Sequence, residues 1–451
     1  MSRLVALVIL PAIIGSPGVC GAQQPLEVSA ARIDSIVEAH RTKYRVPAVG
    51  LYVGSTSGVR LYERAYGAAR LSPDVRVTEE TRFYLASVSK PYAAAVAHHL
   101  VDEGRLDLRA PISRYLPGLP PWGDTVTTHQ LLTHTSGIRD FTDVAGWSDT
   151  ANAADFIQRA LALPLLFPPG ARSDYSNTNY ALVEKILDRI TGLPYAQAAS
   201  ALVLRPLGLS QTQFACATTA RSELAQGYRL RKDTLRAVAP PRPDHYPDAA
   251  AGLCSTAQDV GRFFAQALAG RLLADSSAAA MHTAPPHDEV EAAFGEGLGV
   301  SRELTGEIWS HGGGGPGVST EVAIWPADSL VVVVLTNLTQ GEAELLTRSI
   351  ARSFLQLPQP TVRDLPVEPD RIGSYAGEYR ADPQHVVITE RDSRVYEFGA
   401  PCYYQGSDIF ICDPDKRTLR FVRVGGQVRE VWQMIEGVRR FRGLRFQIRS
   451  P

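Results

Sequence analysis

The chain has 451 residues, a formal net charge of -1, 45% hydrophobic and 21% charged residues. That length and composition specify a globular protein of more than one domain with a large buried core. So even a charge balance gives no global field for nucleic acid or an anionic membrane, and neither is expected as a partner.

In chain order, residues 1–22 read first, as an export signal. Arg3 supplies its positive end, Leu4 to Gly15 is an apolar run broken only by Pro11, and Cys20-Gly21-Ala22 fits a signal-peptidase site. The run is too short for a membrane span, which needs about 20 residues. Lipidation at Cys20 is the alternative, although Pro17-Gly18-Val19 is a poor approach to it. The mature chain is therefore expected outside the cytoplasm, periplasmic or secreted, with no transmembrane segment.

Residues 23–355 read as the main domain. Ala30 to His40 has helical spacing, with Ile33, Ile36 and Val37 on one face. Val49 to Val53 and Val59 to Tyr66 read as strands around a Ser57-Gly58 turn. Ser87 opens a helix that runs through Val96 to Glu103 and stops at Gly104. Pro111 to Val300 reads as short helices joined by loops. Strands return at Glu307 to His311, Thr320 to Trp325 and Leu330 to Asn337, the last two joined by Pro326-Ala327-Asp328. The Pro-rich residues 356–370 read as a linker.

Residues 371–451 read as a small antiparallel β-domain, with Leu419 to Val424 and Val428 to Ile435 joined across Gly425-Gly426. From Lys416 onward there are ten Lys/Arg against two acids. Arginines on a wet β-face explain that imbalance; contact with an anionic wall polymer such as peptidoglycan is the sharper reading. Beyond the signal four cysteines remain: Cys216, Cys254, Cys402 and Cys412. Cys402 and Cys412 flank the turn-like Gly406-Ser407-Asp408, so a local bridge there would leave Cys216 with Cys254. Free buried thiols are the other reading. No C-x-x-C occurs, and no metal or cofactor is expected.

Ser87-Val88-Ser89-Lys90 places a hydroxyl and an amine three residues apart at a helix start. Residues at that spacing share a helix face, with β-carbons about 5–6 Å apart. A serine alkoxide needs a nearby base, and a lysine serves when burial disfavours its ammonium form. The helix N-terminus also favours negative charge on the serine. Alone the quartet is weak, since an N-cap serine beside a solvated lysine has the same spelling. Downstream, however, stand Phe167-Pro168-Pro169-Gly170, Tyr175-Ser176-Asn177 and, at the end of an Ile308-Trp309 strand, His311-Gly312-Gly313.

Together with Glu103-Gly104-Arg105-Leu106-Asp107-Leu108 and Leu131-Leu132-Thr133-His134-Thr135-Ser136-Gly137, these segments resemble the class C β-lactamase and D-Ala-D-Ala carboxypeptidase family of serine hydrolases, which includes D-aminopeptidases and some esterases. The segments come in the family's order and cover about residues 30 to 350. The resemblance implies an α/β (α+β) fold, an antiparallel sheet flanked by helices with an all-helical insertion. The C-terminal β-domain, a small antiparallel barrel or meander by its strand pattern, resembles the lipocalin-like appendages of some family peptidases and is expected to pack near the cleft and restrict substrate size.

The resemblance implies Ser87 as acylated nucleophile with Lys90 and Tyr175 as proton-transfer partners, the Lys90 ammonium favouring phenolate on Tyr175. Asn177 would present its amide to the substrate. His311, Gly312 and Gly313 would line the substrate's polar end, His311 also aiding leaving-group protonation. The amides of Ser87 and Gly314 would form an oxyanion hole. Histidine at 311, in place of a lysine, lacks a permanent cation for a carboxylate and points toward the peptidase branch.

Gly312, Gly314 and Gly317 match G-x-G-x-x-G, but Pro316 and a following strand exclude a dinucleotide site. His98-His99 and His134 read as packing and turn residues. The expected activity is hydrolysis of short D-amino-acid peptides, with an ester or a lactam as the alternative substrate. A penicillin-sensing or wall-binding module without turnover is the rival of another class.

Overall fold

A computed structural model describes residues 28–445, apart from 215, 217–222, 243, 286–291, 304–305, 359–361, 382–383, 398–399, 413–416 and 436–437. The expected signal over 1–22, with Cys20, lies outside the described residues. The chain begins with α1 (Ala30–Tyr44), β1 (Ala48–Ser55), β2 (Arg60–Leu71), β3 (Asp74–Arg76) and β4 (Phe83–Tyr84). A 3-10 turn, Ala86–Ser89, leads into α2 (Lys90–Asp102). Then come α3 (Thr128–Leu132), α4 (Ala153–Leu161), α5 (Asn177–Thr191) and α6 (Tyr195–Ala199). A hairpin of β5 (Gly227–Arg231) and β6 (Thr234–Val238) follows, then α7 (Asp248–Ala251), β7 (Cys254–Ser255), α8 (Ala257–Leu268) and α9 (Asp275–Ala280). Next are β8 (Ala292–Phe294), β9 (Gly299–Glu303), β10 (Gly306–Gly315), β11 (Val318–Trp325), β12 (Leu330–Thr336) and α10 (Ala343–Phe354).

The main sheet has eight strands, in the order β3-β2-β1-β12-β11-β10-β9-β8. All neighbours are antiparallel. Its first strands and its last come from opposite ends of the segment and meet where β1 pairs with β12. Strand alternation then divides the side chains between two cores. Val331, Val333 and Leu335 face α2 and α8, while Leu330, Val332 and Val334 face α1 and α10. With helices on both faces, β12 is buried along its whole length, which explains its unbroken apolar run.

Several boundaries differ from the sequence reading. α1 runs on to Tyr44, β10 continues through the glycines to Gly315, β8 forms inside the stretch read as short helices and loops, and β9 begins at its end. The insertion is not all helical either: the β5–β6 hairpin is anchored by Tyr228, whose N–H donates to the Asn337 carbonyl at 2.9 Å. Its alternation is weak because only Tyr228 is buried on β5.

After α10 comes α11 (Pro369–Ile372), and then β13 (Gly377–Ala381), β14 (Gln384–Arg391), β15 (Arg394–Glu397), β16 (Ala400–Gly406), β17 (Ile409–Cys412), β18 (Arg417–Val424), β19 (Gln427–Ile435) and β20 (Val438–Arg445). These eight strands form a closed antiparallel barrel. It closes where Tyr379 and Arg380 of β13 pair with Arg445 and Leu444 of β20. The barrel has its own core of Tyr375, Tyr379, Phe410 and Phe421 among others. The expected linker is laid against it, the Leu365 N–H donating to the Tyr404 carbonyl at 2.9 Å. β20 lies beside β8 and β9, at the outer edge of the main sheet. Both cysteine pairs are bridged: Cys216 with Cys254, and Cys402 with Cys412 directly across β16 and β17.

Candidate active site

Ser87 sits on the 3-10 turn, one turn before the helix it was expected to open. Ala86 ahead of it has φ 48°, a conformation that costs energy for a residue with a β-carbon. The turn is clamped from both sides. Leu85 N–H donates to the Leu253 carbonyl at 2.9 Å, and Leu253 N–H donates to Ser89 Oγ at 3.1 Å. From the sheet, Thr320 Oγ donates to the Leu85 carbonyl at 2.9 Å.

Lys90, on the first turn of α2, is fully buried. Its Nζ lies 3.1 Å from Ser87 Oγ, 2.8 Å from Asn177 Oδ1 and 2.9 Å from the Ala250 carbonyl. Burial lowers its pKa from the usual lysine range to about 7, against the opposing pull of the Asp140 charge. An amine poised near neutrality is suited to accept a proton from Ser87.

Tyr175 lies just before the α5 N-cap, Ser176. The Lys90 Nζ is 4.9 Å from its ring centroid, and a hydrogen bond joins it to Ser87. Burial pushes the phenol above its ordinary value, the Ser87 hydrogen bond opposes this and the Asp140 charge adds to it. Burial therefore works against the expected phenolate on Tyr175, whatever the Lys90 charge does to favour it. His134 holds the tyrosine loop. Its ring stacks on Tyr175 at 4.3 Å, its Nδ1 accepts the Ser176 N–H at 3.1 Å, and its carbonyl accepts the Asp174 N–H at 2.8 Å.

Asn177 is a bridge more than a free amide. Its Oδ1 accepts from Lys90, while its N–H and Nδ2 donate to Asp140 Oδ2 at 2.9 and 2.8 Å. Asp140, 7% exposed, was not found from the sequence, although it stands three residues past Gly137. The Ala250 carbonyl was missed too, and being backbone it has no residue signature.

His311 and Gly313 of β10 face the nucleophile, and Gly312 faces away. Strand alternation forces this: a β-carbon on Gly312 would meet Glu321 Oε2 at 2.8 Å, on the α10 side of the sheet. Any part Gly312 takes in lining the substrate's polar end is therefore through backbone atoms. A β-carbon on Gly313 would lie 2.3 Å from the Leu85 carbonyl and 3.3 Å from Ser87 N, so glycine there permits β10 to touch the nucleophile turn. At Gly314 a β-carbon would meet nothing within 4 Å. In the described residues β9 pairs only with Gly306 to Ser310, so the edge of β10 from His311 onward carries no β-pairing on that side.

His311 is 4% exposed, with Nδ1 at 2.8 Å from the Gly312 carbonyl. That contact makes Nδ1 the protonated nitrogen and leaves Nε2 as an acceptor. Burial, with the Lys90 charge, pushes its pKa down to about 3 despite the Gly312 carbonyl. Such a ring is neutral across the physiological range, which corrects the expectation that it protonates a leaving group.

His98 is more than a packing residue. Its Nε2 lies 2.7 Å from Glu296 Oε2, and His129 Nδ1 contacts Glu296 Oε1. Burial alone would raise the Glu296 pKa; the bonds to His129 and His98 outweigh it and hold the carboxyl at about 2.

The beta-lactamase family profile matches residues 33–354. Esterase EstB of Burkholderia gladioli is 32% identical over 325 residues, covering 63% of this chain and 78% of that protein. Protein Rv1367c of Mycobacterium tuberculosis is 34% identical over 226 residues, and the match spans 56% of its length and 44% of this chain. Among solved structures, a penicillin-binding protein homologue from Pyrococcus abyssi superposes with TM-score 0.68 at 20% identity, covering 93% of this chain and 100% of that one. A D-amino acid amidase from Ochrobactrum anthropi gives TM-score 0.63 at 24% identity, covering 72% and 96%. At these identities the two structures speak for the fold.

Proposed function

Because the chain belongs to the beta-lactamase family, we propose that it is a serine hydrolase that cleaves small amides or esters through an acyl-enzyme on Ser87. One observation carries this reading: a fully buried amine, near neutrality, within hydrogen-bonding distance of the Ser87 hydroxyl. Lys90 takes the Ser87 proton as Oγ forms its bond to the substrate carbonyl carbon. The carbonyl oxygen becomes an oxyanion, received by the Ser87 and Gly314 amides. As the carbon–nitrogen or carbon–oxygen bond breaks, the Tyr175 phenol gives its proton to the leaving atom and is reprotonated from Lys90. Water then attacks the acyl-enzyme, Lys90 again accepts the proton, and Ser87 leaves with one. Every proton in this cycle is handled by the chain's own residues, so the reading needs no cofactor or metal.

Neutral His311 narrows the substrate. Its free Nε2 accepts a hydrogen bond, which suits an N–H or a hydroxyl and does not suit a carboxylate. D-aminoacyl amides and short D-peptides cleaved from the amino end therefore fit better than peptides recognised by a terminal carboxylate. Simple esters are the second reading, favoured by the similarity to esterase EstB. A panel of D-aminoacyl amides, D-Ala-D-Ala peptides, p-nitrophenyl esters and a chromogenic cephalosporin tests it. Turnover of the amides or esters is expected; acylation by a penicillin without turnover of anything would favour a sensing module instead. Two bridged cysteine pairs also support a location outside the cytoplasm, periplasmic or secreted, after removal of residues 1–22. N-terminal sequencing of the exported protein should begin at Gln23.

A further inference from the structure

We infer that Phe294 sets which leaving groups the site accepts, and that Glu296 is the positioning residue holding it in place. The inference rests on the Ser87 acyl-enzyme reading and goes beyond it to the substrate's departing half. Phe294 ends β8 and is partly exposed. Its ring centroid lies 4.9 Å from His134, 5.6 Å from Tyr175 and 6.0 Å from His311. Tyr175 donates its proton to the leaving atom, so the departing amine or alcohol emerges beside that phenol. A ring that borders Tyr175 and His311 is therefore a wall of the leaving-group side. Asn177 and Ala250 hold Lys90 by bonds in which Phe294 takes no part.

The wall is fixed from behind. Directly after Phe294 the chain turns through Gly295 to Leu298, and this turn is wedged against the nucleophile's helix. Gly297, at φ 116°, lies so close to α2 that a β-carbon would sit 2.7 Å from Ala94 Cβ. Gly295 is equally tight against the end of α9, where a β-carbon would sit 2.7 Å from the Met281 carbonyl. Glu296 N–H donates to the Ala280 carbonyl at 3.0 Å. Its buried carboxylate is held between His98 of α2 and His129 of α3. Lys90, Ala94 and His98 are spaced by four, so one stripe of α2 carries both the proposed base and the anchor of the wall. Glu296 touches neither Ser87 nor Lys90, and acts through Phe294.

Substrates sharing one acyl group but differing in leaving group test this. They pass through the same acyl-enzyme, so their deacylation rate is common and reports on everything except the leaving-group side. With D-alanine amide, D-alanine anilide and a bulkier naphthylamide, Phe294→Ala should change the ratio of kcat/KM between smallest and largest leaving groups by about tenfold, the worth of one packing surface. Deacylation should stay constant. Glu296→Ala should shift the same ratio in the same direction, Glu296→Gln should restore most of it, and the double variant Phe294→Ala/Glu296→Ala should add nothing to Phe294→Ala. An unchanged kcat/KM ratio in Phe294→Ala overturns the assignment. A wild-type protein without a common deacylation rate contradicts the Ser87 reading itself, and is thus a separate failure.

Discussion

Lys90 is the residue whose titration the reaction must follow. In the proposed cycle its amine accepts the Ser87 proton only when neutral, and burial sets that change at about 7. Acylation kcat/KM should be full above that pH and fall about tenfold per unit below it, a slope measured with a stopped-flow ester assay. His311, neutral down to about 3, adds no second step in this range. Asp140 supplies a negative charge that favours the ammonium, so Asp140→Asn should move the acid limb to lower pH. It should also lower kcat, because Asn177 loses the carboxylate that fixes it. At this scale much was legible. Ser87, Lys90, Tyr175, Asn177 and His311 are spelled by residue type and order, and the structure brings all of them together. Asp140, the Ala250 carbonyl and Glu296 were not legible: they act through partners far away in the chain or through backbone atoms.

At the scale of elements, the contact between β10 and the nucleophile turn decides whether the amides of Ser87 and Gly314 can act together. Gly313→Ala would drive a methyl into the Leu85 carbonyl, a backbone atom that cannot swing away. A loss of about 100-fold or more in kcat is expected, comparable to removing one oxyanion donor, together with a loss of about 1–3 kcal/mol of stability from overpacking. Gly314→Ala keeps its amide and meets open space, so it should retain most activity. The neighbouring support is the β4–β7 pair, in which Tyr84 faces Cys254. Cys254→Ser removes the bridge to Cys216, a loop of 38 residues, and should cost about 2–4 kcal/mol in denaturant unfolding. Strands spelled as apolar, β-branched runs were readable, as at β1, β11 and β12. The 3-10 turn under Ser87 and the strands β8 and β9 were not, since short elements held by tertiary contacts leave little periodic signal.

Across the whole molecule, two bodies with separate cores share one chain. The α/β part fills its interior from α2, α8 and both sheet faces, and the barrel fills its own from Tyr375, Tyr379, Phe410 and Phe421. The barrel's last strand lies beside β8 and β9, the hairpin that carries Phe294. Deleting the chain after Leu365 should therefore leave Ser87 reactive while relaxing selectivity toward bulky substrates, readable in the same leaving-group series. A truncated protein with unchanged selectivity would remove the barrel from substrate choice. The sequence announced a separate β-rich end through its hairpin signals. It could not announce the contact with β8 and β9, which depends on how two bodies pack.

The central claim is a covalent bond on one oxygen, so it is tested most directly by mass. The intact protein, treated with a fluorophosphonate at pH 8 and digested, should carry one adduct on the peptide containing Ser87, with labelling slowing as pH drops through about 7. A folded protein that takes no adduct, takes it elsewhere, or turns over substrate undiminished after Ser87→Ala would contradict the account.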